Sequence, residues 1–137
     1  MQTLVEEISR AAELKAAEDY RFMENQKIKK ALAPAQFEEF KKACEDECAK
    51  IGAVSPVQLH FEEDSTREFS VRNLQSGRMV SFAYDPDVPC IHYESPKGHG
   101  HIAFHVSSDG TMLQFVLSGI PRFIVELIHR FFSMLTK

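Results

Sequence analysis

At 137 residues, with 44% hydrophobic and 26% charged side chains, the chain fits one folded domain and can bury a substantial core. A formal net charge of −4 argues against nucleic acid as a partner, because phosphate binding needs a basic surface. No membrane partner is expected either: the N-terminus lacks a basic stretch followed by an apolar run, and the most apolar segment, 120–135, is short and carries Arg122, Glu126, His129 and Arg130. A cytoplasmic location follows as the default, and the odd set Cys44, Cys48 and Cys90 reads as free thiols rather than a disulfide framework.

From Gln2 to about Leu32 there is neither proline nor glycine, and good helix formers dominate. This predicts a helix roughly 45 Å long at ~1.5 Å per residue. Such a length in so small a domain implies a break or an overhang. The apolar stripe of this segment drifts and thins in the middle, where alanines would let another helix approach closely. Pro34 is expected to end it and to open a second helix over about Ala35 to Ile51. Phe37, Phe40, Cys44, Cys48 and Ile51 share one face of that helix, and Gly52 is placed to stop it.

After Pro56 the apolar period changes from 3.6 to 2. Six alternating runs follow: 57–62, 68–73, 78–84, 90–94, 101–106 and 111–117. Short connections favour antiparallel neighbours, so a six-stranded meander is the simplest arrangement. Asp109-Gly110 predicts a two-residue type I′ turn, which pairs Val106 with Leu113, Phe104 with Phe115, and Ile102 with Leu117. Ser118 and Pro121 then read as the cap and first turn of a C-terminal helix running to about Leu135. That helix is apolar almost all round, which asks for burial on more than one side or for a subunit interface.

The expected fold is therefore α+β, with two N-terminal helices, a six-stranded antiparallel meander sheet, and a C-terminal helix packed on the apolar sheet face. A single domain over 1–137 divides into a helical segment (1–52), the sheet (56–117) and the last helix (119–136). The order resembles the helix-grip arrangement without its first strand, a likeness that implies no function.

Alternation assigns Leu59, Phe69, Val71, Val80, Phe82, Ile91, Ile102, Phe104, Phe115 and their neighbours in phase to the core. The other face collects His60, Cys90, His92, Glu94, His101 and His105, four of the six histidines among them. Residues Ser95 to Gly100 read as a loop, so two registers are open, with His105 opposite either Cys90 or His92. Imidazoles, a thiol and a carboxylate can together ligate a divalent transition metal. His92, His101, His105, Cys90 and Glu94 are thus the candidate metal ligands. The plainer reading is a wet, metal-free sheet face with no cofactor.

His99-x-His101 followed by His105 resembles the histidine part of a cupin metal motif. Glutamate is expected near where His105 stands, and no second glycine–proline–histidine motif follows, so no family is assigned. Cys44-x-x-x-Cys48 has chelating spacing, but the phenylalanines in its stripe point to core packing. Neither a nucleophile turn nor a phosphate-cradling loop is present. The expectation is a non-enzymatic interaction or small-ligand-binding domain that forms homo-oligomers or meets a protein partner. The alternative is a metal-dependent enzyme or sensor built on the histidine face.

Overall fold

A computed structural model describes residues 3–136 of the chain. It has an α+β architecture with one helix, α1 (Leu4–Val54), before the sheet and one, α2 (Ile124–Thr136), after it. Between them lie β1 (Leu59–Ser65), β2 (Glu68–Asn73), β3 (Met79–Asp85), β4 (Cys90–Ser95), β5 (Gly98–Val106), β6 (Leu113–Leu117) and β7 (Ile120–Arg122). The seven strands pair antiparallel in chain order, as a meander does.

The N-terminal segment corrects the expectation of two helices. A single helix of 51 residues runs straight through Pro34 and Gly52. Proline in a helix interior removes one backbone hydrogen bond and costs about 3 kcal/mol. Here the turns around it are held from outside the helix, since Ala33, Phe37 and Phe40 are buried against the sheet. The stop comes at Ser55, whose backbone is extended (φ −135°, ψ 150°) and donates to Ile51 O. Pro56 forces that geometry on the residue before it, whereas Gly52 has no such constraint to impose.

At the other end of the sheet a seventh strand replaces the start of the expected C-terminal helix. Ser118 and Gly119 both have positive φ (55° and 76°), as the centre of a type I′ turn requires, and Leu117 pairs with Ile120. Pro121 is tolerated because β7 is an edge strand. The Asp109-Gly110 connection keeps its expected register, with Val106 opposite Leu113 and Phe104 opposite Phe115. Its turn is different: Gly110 N–H donates to Ser107 O, and only Gly110 takes the left-handed conformation (φ 74°). Asp109 instead accepts from the Ser107 hydroxyl, the Thr111 hydroxyl and the Thr111 N–H.

The expected core face of the sheet is buried, and two elements cover it. The second half of α1 supplies Phe40, whose ring lies 5.0–5.9 Å from those of Phe69, Phe82 and Phe115. From α2, Phe131 meets Phe82 and Tyr93 edge-on. Each such side chain, fully buried, contributes roughly 1.5–3 kcal/mol. Only one stripe of α2 is buried (Leu127, Phe131, Phe132 and Leu135), while Phe123 and Val125 stand exposed, so burial on several sides is not met within this chain. Asn73 fastens α2 to the sheet by donating to Leu135 O at 2.7 Å while its own Oδ1 accepts from Gln75 and Ser76. Lys41 is buried on α1 and reaches Glu38, Glu63 and Thr66 O, tying the helix to the β1–β2 hairpin.

Candidate functional site

Two features remain after the core is accounted for: a group of donors at the β3–β4 turn and an exposed helical arm. The donor group follows from strand geometry. Asp85 and Cys90 are cross-strand partners closing the β3–β4 hairpin, and His92 lies two residues beyond Cys90, on the same face. Asp85 Oδ1 accepts from the backbone of Asp87 and Val88, which fixes the carboxylate in the turn. Oδ2 is thereby directed at His92, 3.2 Å from Nε2, and Cys90 Sγ lies 3.6 Å from the same nitrogen. One donor atom from each residue falls within 4.8 Å of the other two.

Electrostatics set the two acids apart. The turn N–H groups and the imidazole hold Asp85 below the usual carboxylate range, with the Val88 N–H the largest influence. Burial, and then the Asp85 carboxylate, push the Cys90 thiol up. A catalytic relay needs the thiol and the carboxylate on opposite nitrogens of the histidine. Here one nitrogen serves both, and the thiol is made a poorer nucleophile. Three donors converging on one point could also hold a cation.

The sequence candidates are partly gathered by the fold. His92 pairs with His101 and Glu94 with His99, across β4 and β5. The connection is a tight two-residue turn at 96–97 rather than a loop to Gly100, and it puts Cys90 opposite Ala103. Neither expected position for His105 therefore holds; it pairs with Gln114 on β6. The tight turn needs glycines: Gly98 has φ 130°, and a Cβ on Gly100 would lie 2.6 Å from the Tyr93 hydroxyl. His101, Cys90 and His92 line a common recess of about 270 Å³. Glu94 and His105 are exposed on the same face. Asp85 was missed because it reads as a turn residue; its signal was the Asp-Pro-Asp-x-Pro-Cys spacing, which puts a carboxylate beside the thiol. Cys44 and Cys48 are buried in the core as free thiols, with burial pushing Cys48 up to about 11.

The arm is the first part of α1. Every residue from Thr3 to Met23 is exposed, a stretch of about 30 Å at ~1.5 Å per residue. A capping box between Thr3 and Glu6 closes its start. Leu4, Val5, Ile8 and Phe22 are each 61–72% exposed. They are in phase with the buried side of the same helix: Leu4, Phe22 and Phe40 are spaced by about five full turns at ~3.6 residues per turn. No helix among the described residues is long and apolar enough to cross a membrane.

No family model, curated protein or solved structure matches this chain.

Proposed function

We propose that the protein is a non-enzymatic interaction module that pairs with a second copy of itself through the arm of α1. The observation that carries this reading is the exposure of Leu4, Val5, Ile8 and Phe22 in phase with the buried side of the same helix. In proteins most helical stability comes from packing of an apolar face rather than from intrinsic propensity. An identical arm offers the matching face.

Charge selects the direction. Residues 4–19 carry Glu6, Glu7, Glu13, Glu18 and Asp19 against Arg10 and Lys15, while 20–30 carry Arg21, Lys27, Lys29 and Lys30 against Glu24 alone. Parallel pairing would set like against like; antiparallel pairing sets the acidic stretch of one copy on the basic stretch of the other. Centring the pair on Ala17 accounts for the later part of the stripe, while Leu4, Val5 and Ile8 meet the aliphatic stems of Lys30, Lys29 and Gln26. Phe22 then faces Ala12, Met23 faces Ala11, and the two charges within the stripe, Lys15 and Asp19, face each other across the two-fold axis.

Sedimentation equilibrium tests the pairing. The native chain is expected to be a dimer. Asp19→Lys sets lysine against lysine and is expected to yield monomer, and the double exchange Lys15→Asp/Asp19→Lys to restore the dimer. A native monomer at high concentration, or a dimer indifferent to the single exchange, overturns the reading.

A further inference from the structure

We propose that Asp85, Cys90 and His92 form a transition-metal site, with His101 as its fourth ligand. The site is built on β3, β4 and β5, with Gln26 and Lys29 of α1 at its recess, and its test reads metal uptake rather than self-association.

Two of the donor separations match those around a tetrahedral ion. With Zn–S near ~2.3 Å and Zn–N or Zn–O near ~2.0 Å, ligands at the tetrahedral angle lie about 3.5 Å (S to N) and about 3.3 Å (N to O) apart. The corresponding separations are 3.6 Å and 3.2 Å. The three donors are held by backbone rather than by chance rotation. Cys90 and His92 alternate on one strand, Asp85 is fixed by two N–H groups, and its free oxygen is the one aimed inward. The fourth donor comes from outside the group of three whose donor atoms lie within 4.8 Å of one another, and its ring must turn to reach the ion. His101 is the cross-strand partner of His92 and opens onto the same recess as the thiol.

Chemistry narrows the ion. One thiolate with two imidazoles favours zinc or cobalt over magnesium or calcium, which take oxygen ligands. Binding releases the Cys90 proton to solvent, and the dication then neutralises the thiolate and the Asp85 carboxylate. Gln26 and Lys29 of α1 line the same recess, and Lys29 brings its positive charge there.

Cobalt titration of untagged protein, reduced with a non-thiol reagent, is the test. One equivalent is expected to bind with a near-ultraviolet thiolate-to-cobalt band and tetrahedral visible absorption, both displaced by zinc. Cys90→Ser is expected to lose the near-ultraviolet band. His92→Ala, at an exposed position that cannot threaten the fold, and Asp85→Asn are each expected to weaken binding beyond the roughly 10–100-fold typical of an outer-shell partner. His101→Ala is expected to do the same, and His105→Ala, at a position that lies outside the recess and pairs with Gln114 of β6, to leave binding unchanged. Failure to take up one equivalent overturns the site, as does a band that survives Cys90→Ser, which would place the metal on Cys44 and Cys48. Binding unaffected by His101→Ala overturns the fourth-ligand assignment.

Discussion

Residues 3–23 and 33–51 belong to one helix and carry apolar side chains in one phase, yet they meet different surroundings. The later stretch lays Phe37, Phe40, Cys44 and Cys48 on the sheet, where all four are buried. The earlier stretch presents Leu4, Ile8 and Phe22 to solvent. Periodicity encodes which side of a helix is apolar; it does not encode what covers that side. For the later stretch the cover is in the same chain, and for the earlier one the described residues supply none.

The strongest way to sharpen this contrast is a matched pair of truncations at equivalent points of the stripe. Phe40→Ala is expected to cost about 3–5 kcal/mol, because a large buried ring leaves a cavity among three other rings. Phe22→Ala is expected to change monomer stability by less than ~0.5 kcal/mol, as exposed positions usually do. Denaturant unfolding of dilute protein reads both. Equal costs would mean that the arm packs on its own domain.

Pro34 stands where the two stretches join, and its removal gives the next largest effect. Pro34→Ala is expected to stabilise the chain by up to ~3 kcal/mol, seen as a raised midpoint at constant denaturant slope. A loss of stability would show instead that the proline sets a direction the arm requires.

The smallest effect concerns the point where α1 first touches the sheet. Gly110 in the β5–β6 turn approaches Ile28, and Asp109 organises that turn. Hydrogen bonds, from the Ser107 hydroxyl first, lower Asp109 to about 2. Its folded pKa lies below its unfolded value of about 3.9, so its contribution is fully present above that value and is lost as pH falls through about 2. Acid titration of stability is expected to fall less steeply for Asp109→Ala than for the native chain between those limits. Identical slopes would show that the turn does not depend on the carboxylate.

These elements also show what sequence can carry. Alternation from Leu59 to Leu117 sorted the two sheet faces because one face is buried and a one-residue slip would invert it. The Phe104–Phe115 register was legible for the same reason. The course through Pro34 was not, because its local cost is offset by contacts with strands far along the chain. Nor was β7, three residues long and bearing a proline that suits a helix start as well as an edge strand. Of the donor group, Cys90 and His92 were visible as strand neighbours. Asp85 needed the turn itself, since only the bonds to Asp87 and Val88 aim its free oxygen.

The placement of α1 against strands made much later also sets a timetable for synthesis. Gln36 donates to Leu113 O, a partner 77 residues downstream. At roughly 5–20 residues per second on the ribosome, that interval lasts ~4–15 s. Throughout it, a nascent helix displays phenylalanine and cysteine along one side before the sheet that receives them is complete. A chaperone that shields apolar helical surface, or a neighbouring nascent copy on the same message, has first access to that side.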